Sequence, residues 1–311
     1  MQLNVNYGPS LLSRAALHCL LAAALASGAM LWADATCTPP AELKARLQDK
    51  PAAAVYNDLG IWFAGKEQYA CSAEALATSL QMEPQQKDMA HIAFMFGVSL
   101  LFSGETRDAI AALEEVEKMD YRDIKLHLVL ASALDSIHSS ERAEAEWRAA
   151  IAQDWENSTA LDGLSNNLNA AGNLAATITL LDDPKVLTQR TATQSLNLGM
   201  AYAKTGKLAE AANALRDGLN TSPDAQALGA ALADVLVQMG NTSEAIAVLQ
   251  LQAEMHPENA QAQAELGILL AQAKDYSSAK MHLEKAIALG DGNAEIKENL
   301  EKVKQALEAK K

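Results

Sequence analysis

The sequence has little of what sheets are built from: aromatic residues make up 5% of its 311 positions, although half of the chain is hydrophobic. Alanine and leucine therefore carry the apolar content, and that mixture favours packed helices, because strands draw on branched and aromatic side chains. Basic residues are also short, 25 against 39 acidic ones, for a formal net charge of −14. Such a chain repels the phosphates whose neutralisation drives nucleic-acid binding, and anionic lipid surfaces likewise, so both are set aside as partners. Catalytic signatures are missing too. There is no phosphate-binding glycine loop, dinucleotide fingerprint, nucleophile elbow or His pair at metal-binding spacing. The six histidines are scattered, with His256 directly before Pro257. We expect no enzyme activity, no cofactor, no metal and no small-molecule substrate.

Charge is scarcest at the N-terminus, where Arg14 is the only charged residue before Asp34. The run Ala15 to Ala33 is apolar apart from His18 and small polar residues, and Ala33-Asp34-Ala35 has the small-x-small form of a signal-peptidase site. Residues 1–35 thus read as a secretory signal, which predicts an exported, periplasmic or extracellular protein. The alternative is an uncleaved anchor, since 19 residues just suffice to span a bilayer; only then is a membrane a partner. Cysteine is rare as well. Cys19 and Cys37 follow His18 and Thr36, where a lipid-attachment site wants a small residue. Cleavage would leave Cys37 and Cys71, which in an oxidising compartment either pair, for a gain of about 3 to 4 kcal/mol, or remain two thiols.

What the sequence has in abundance is self-similarity. "LNLGMAYAKTGKLAEAANALRDGLNTSP" (Leu196 to Pro223) aligns with "AELGILLAQAKDYSSAKMHLEKAIAL" (Ala264 to Leu289) and "NDLGIWFAGKEQYACSAEALATSLQMEP" (Asn57 to Pro84). The register gives seven units of 34 residues, 53–86, 90–123, 124–157, 158–191, 192–225, 226–259 and 260–293, with Lys87 to Met89 inserted after the first. The eighth position is always small (Gly60, Gly97, Ala131, Ser165, Gly199, Ala233, Gly267), while the twenty-fourth is large (Leu76, Leu113, Trp147, Leu181, Leu215, Leu249, Leu283). Positions 7, 8 and 11 form one stripe of a first helix, and positions 20, 24 and 27 one stripe of a second. Small residues at 8 and 20 let the two backbones approach, and Gly172, Gly206 and Gly240 are free to take the positive φ that turns the chain between helices.

This pattern resembles the tetratricopeptide repeat in its period and in its Leu-Gly, Tyr, Ala and closing Pro, over Ala53 to Asn293. The resemblance implies an all-α fold, a right-handed α-solenoid of seven helix-turn-helix repeats. A capping helix is expected at each end, within 36–52, capped by Thr38 and prolines, and within 294–311, where Ile296, Leu300, Val303 and Leu307 recur at helical spacing. The family's fourth-position Trp is absent; His127 stands there in the third unit. The closing proline is replaced by Tyr121, Trp155, Gln189 and Asp291 in four units.

The family's proteins act as scaffolds that bind a protein or peptide in a groove lined by positions 2, 5, 9, 12 and 13. Mapped onto this sequence, the groove comprises Asn57, Ile61, Phe94, Val98, Leu101, Phe102, Ser132, Asp135, Ser136, Asp162, Asn166 and Asn169. The last units add Leu196, Met200, Lys204, Asp234, Gln238, Ile268 and Gln272. This predicts an apolar N-terminal half and an acidic middle, suited to a segment with hydrophobic anchors and a basic stretch. The alternative is that Phe94 and Leu101 only pad the contact between hairpins. Ile61 and Val98 stand where the family's two-carboxylate clamp needs polar residues, so that activity is not expected. Finally, Asp182-Asp183-Pro184 could be an acid pair. With no His partner it reads instead as a break, the proline ending the second helix of the fourth unit near Asp182 and separating four hairpins from three.

Overall fold

The computed structural model describes residues 37–119, 121–187 and 190–309, so the proposed signal at 1–35 lies outside the described residues. Those residues form helices and turns with no strand. They fall into two compact units, one ending at Gly163 and the other beginning at Leu164.

The first unit contains α1 (Ala41–Asp49), α2 (Ala53–Ala64), α3 (Tyr69–Met82), α4 (Met89–Phe102), α5 (Thr106–Glu117), α6 (Ile124–Ser136) and α7 (Ser140–Gln153). Helix α8 (Ser158–Ala170) carries the division between the units, and the second holds α9 (Leu174–Leu181), α10 (Pro184–Leu187), α11 (Ala192–Lys204) and α12 (Leu208–Thr221). It continues through α13 (Gln226–Gln238), α14 (Thr242–Met255), α15 (Ala260–Gln272), α16 (Tyr276–Ala288) and α17 (Ala294–Glu308). Within each unit, neighbouring helices pack pairwise, α2 on α3 and α3 on α4 through to α7, then α9 on α11 and onward to α17. First helices also touch the next first helix, α4 against α6 and α11 against α13.

Two local devices recur in the hairpins. The stripe residues are the core: Leu76, Leu113, Leu181, Leu215 and Leu283 are wholly buried, and Trp147 is 5% exposed. The leucine enters because the opposing residue lacks a side chain: a methyl group at Gly60, Gly97 or Gly199 would lie 2.4, 2.8 or 2.5 Å from a carbon of Leu76, Leu113 or Leu215. The turn then needs one left-handed residue. Gly104, Gly172, Gly206 and Gly240 supply it with φ between 76° and 93°, and Glu67, His138 and Lys274 take the same place with φ of 58°, 60° and 66°. Those three side chains cost about 1 kcal/mol each in backbone strain, tolerated because packing on both sides dictates the turn.

The N-terminal end is tied down covalently. Cys37 and Cys71 form a disulfide with Cα atoms 5.6 Å apart, in a cluster with Leu43, Leu59, Phe63 and Ala75. Arg46 Nη1 donates to Asp58 Oδ2 at 2.7 Å, holding α1 on α2. Helix α1 starts later than the sequence suggested: its N-cap is Pro40, not Thr38, and no side chain caps it. The reason is that Pro39 precedes a proline and is barred from helical geometry.

The proline break is where the spacing put it, since α9 ends at Leu181 after 8 residues. Asp183 Oδ1 accepts the Lys185 amide at 2.9 Å, and Pro184 opens the four-residue α10, a place where its missing N–H is harmless. The break does not divide the molecule, however. The two units part within α8, because α9 packs directly on α11 and Tyr202 of α11 donates to Asp182 Oδ2 at 2.8 Å across the interruption. Burial and this bond to Asp182 push the Tyr202 phenol up to about 12. Neither aspartate forms an acid pair.

An alanine in a helix interior normally stabilises by about 1 kcal/mol relative to glycine. At Gly199 the sign should reverse, with Gly199→Ala destabilising by roughly 1 to 3 kcal/mol in urea unfolding because Leu215 is displaced. A more stable variant would disprove the close approach.

Candidate functional site

The residues that the repeat register assigns to the groove meet different fates in the first unit. Asn57 is half-buried, its Nδ2 donating to Gln86 Oε1 at 2.6 Å. Phe94 is 8% exposed and stacks on Tyr121 with ring centroids 5.3 Å apart, so it is an interior contact and offers no open wall. Val98 and Leu101 are half-buried. Ile61 and Phe102 are exposed, the latter stacked on Tyr69 at 4.9 Å. Ser132 is exposed, Ser136 donates to the Ala133 carbonyl at 2.7 Å, and Asp135 accepts from Trp147 Nε1 at 2.7 Å. Asp162 is half-buried.

In the second unit, Asn166 and Asn169 are drawn together on one buried partner. Asn197 Nδ2 donates to Asn166 Oδ1 at 2.7 Å and to Ser165 Oγ at 2.9 Å, while Asn169 Nδ2 donates to the Asn197 carbonyl at 2.9 Å. This amide network joins α8 to α11 and leaves those side chains engaged in the fold.

The later positions of the same register do converge. Leu196, Met200 and Lys204 of α11, with Asp234 and Gln238 of α13, line a cavity of about 420 Å³. Its remaining walls are Gly199, Ala203, Leu215, Ala227, Ala231 and Val235. The cavity exists because α11 and α13 are both first helices, one repeat apart, and because their facing residues include three alanines and a glycine. Met200 is 38% exposed at its edge. The site therefore joins a largely apolar lining to one cationic and one anionic side chain, Lys204 and Asp234.

Two carboxyls are shifted upward in this region. Asp234 lines the cavity while still touching solvent, and partial burial pushes its carboxyl above the ordinary value. Glu265 of α15 is raised first by burial and then by the charge of Asp234, although a hydrogen bond from Gln261 Nε2 at 2.8 Å opposes the shift. No ion pair holds Asp234 among the described residues. Both carboxyls are thus harder to ionise than a fully solvated one. The sequence reading missed Glu265 because it falls at position 6 of its unit, outside the expected groove positions. Only the fold brings it near enough to Asp234 for their charges to interact.

Two family models, both described as tetratricopeptide repeat, match residues 94–158 and 202–269, one in each unit. The sequence has no significant match among curated proteins. Among solved structures, the chain is similar to a tetratricopeptide repeat protein from Parabacteroides merdae, at 16% identity and a TM-score of 0.58, over 81% of this chain and 98% of that one. It is also similar to the C-terminal part of a TPR repeat-containing protein from Cytophaga hutchinsonii (15% identity, TM-score 0.59, 78% and 98% covered). A third likeness is to pilF from Pseudomonas aeruginosa (21% identity, TM-score 0.51, 67% and 95% covered). These likenesses carry the fold. With the hairpin geometry above, they place the chain in a known class: it carries tetratricopeptide repeats over those two stretches and has the tetratricopeptide-repeat fold. The fold of this class is that of protein–protein interaction scaffolds.

The raised carboxyl of Asp234 has a consequence for stability. The native chain holds that proton more tightly than the unfolded chain, so the ionised group opposes folding and its cost grows as pH rises through the window between the two values. Asp234→Asn should therefore be more stable than the wild type at pH 7, and the gap should close on acidification past the ordinary value of 3.8. Denaturant melts of both proteins from pH 3 to 7 test this, and a variant less stable at pH 7 would contradict it.

Proposed function

We propose that the protein is an exported, non-enzymatic scaffold that binds an extended protein segment in the groove between α11 and α13. The occupant carries an apolar side chain for the alanine-lined floor and a basic one for Asp234 and Glu265. The observation that carries this reading is the convergence of Leu196, Met200, Lys204, Asp234 and Gln238 on one cavity. A cavity of this size takes one or two side chains, and apolar anchors flanked by charge recognition are how grooves of this kind gain both affinity and register. The overall acidity of the chain favours encounter with basic partners.

Two features support export: the apolar run with its small-x-small site, and the Cys37–Cys71 bond, which belongs to oxidising compartments. The 19-residue length of that run also favours a second reading, a membrane-anchored assembly factor using the same groove. Among the described residues no helix is long and apolar enough to cross a membrane.

Selection of a displayed random-peptide library on the chain should enrich an apolar residue near an Arg or Lys. Met200→Glu should weaken the selected peptides by about tenfold or more, since a charge then faces the apolar floor. Asp234→Asn with Glu265→Gln should remove the basic preference alone. Peptides insensitive to both changes would refute the groove. Intact mass of the protein from its native source separates the two readings of the N-terminus: a start near Thr36 supports cleavage, and an intact Met1 supports the anchor.

A further inference from the structure

Away from the groove, three helices of the first unit bring together two carboxylates and an imidazole. Glu117 is the last residue of α5, His127 lies in the first turn of α6, and Glu146 is in the middle of α7. One ligand-capable atom from each lies within 4.8 Å of the others, and His127 Nδ1 is 2.7 Å from Glu146 Oε2. We infer that Glu117, His127 and Glu146 form a binding site for a divalent transition-metal ion of the Zn²⁺ type.

The repeat itself separates this reading from a plain packing role. His127 and Glu146 occupy positions 4 and 23 of their unit, and the same positions in the last unit are Gln263 and His282, joined by a hydrogen bond of 2.8 Å. There the third corner, position 28 of the preceding unit, is Ala253, whose carbonyl accepts from Gln263 Nε2 at 3.3 Å. A polar pair at positions 4 and 23 is thus accommodated by a backbone carbonyl and needs no third side chain. At His127 the third corner is instead a carboxylate. Glu117 brings a second negative charge to an imidazole that already has one, and the adjacent cation, Lys118, is held by Glu115 at 2.6 Å. Like charges this close repel, and a divalent cation between them turns that repulsion into attraction.

The donor set selects the ion. Calcium and magnesium require shells of oxygen, whereas an imidazole with carboxylates suits zinc, nickel or copper. Zinc bonds of about 2.0 to 2.2 Å set tetrahedral donors roughly 3 to 3.5 Å apart, so the imidazole and Glu146 separate by about half an ångström while Glu117, exposed at a helix end, closes in. Three protein donors leave a fourth position open to water or to a donor from a bound partner. The sequence offered no sign of this site because its donors lie on three helices with no short-range spacing.

Titration calorimetry of the chelator-stripped full chain with ZnCl₂ tests the inference, with melting temperature as a second readout. One saturable Zn²⁺ site is expected, insensitive to excess Mg²⁺, with Zn²⁺ raising the melting temperature. Glu117→Gln, which leaves the His127–Glu146 pair and the fold in place, should weaken binding about tenfold or more, as should His127→Gln. Absence of saturable binding, displacement by Mg²⁺, or a Glu117→Gln protein that binds as the wild type would overturn the site and leave an ion pair serving the fold alone.

Discussion

Four hairpins depend on one approach, that of a leucine of the second helix to the bare backbone of the first, and the other three keep a small residue, Ala131, Ser165 or Ala233, at the same place. Where Gly60, Gly97, Gly199 and Gly267 face Leu76, Leu113, Leu215 and Leu283, the leucine occupies the space a side chain would have filled. The helices are held close enough for that leucine to be sealed from water. Burying such a side chain is worth about 1.5 to 3 kcal/mol. The left-handed turn residue follows from that approach, because two helices this close leave no room for a longer connection. At Glu67, His138 and Lys274 the same constraint overrides an unfavourable residue.

The polar interior shows what happens where the family's apolar positions are given up. Asn197 gathers Ser165, Asn166 and Asn169, and Asn57 is bound to Gln86, so side chains that could have faced a ligand are engaged within the fold. Buried polar groups need partners, and the amide nitrogens of Asn57, Asn169 and Asn197 find theirs on neighbouring helices and turns, while Asn57 Oδ1 and Asn169 Oδ1 stay unpartnered. The groove between α11 and α13 differs because its small residues leave space. In the second unit the first helices α11 and α13 leave the gap between them unfilled.

How much was legible follows the same division. The helical class, the 34-residue period, the stripes at positions 7, 8, 20 and 24 and the break before Pro184 were all readable, because each rests on spacing along one helix or on the geometry of a single residue. The register also named five residues of the cavity. It could not rank them above Phe94 or Asn169, which hold equivalent positions but are used internally. Glu265 and the Glu117, His127 and Glu146 cluster were invisible, since their neighbours come from other helices.

The sequence by itself determined the hairpin, its period and its turn, since these depend on interactions within some thirty residues and are written once per repeat. Only the tertiary structure decided which candidate positions stay open, where the units divide and which distant carboxylates share a space. Those outcomes turn on differences of a few ångströms between neighbouring helices, and such differences arise from the packing of many side chains at once.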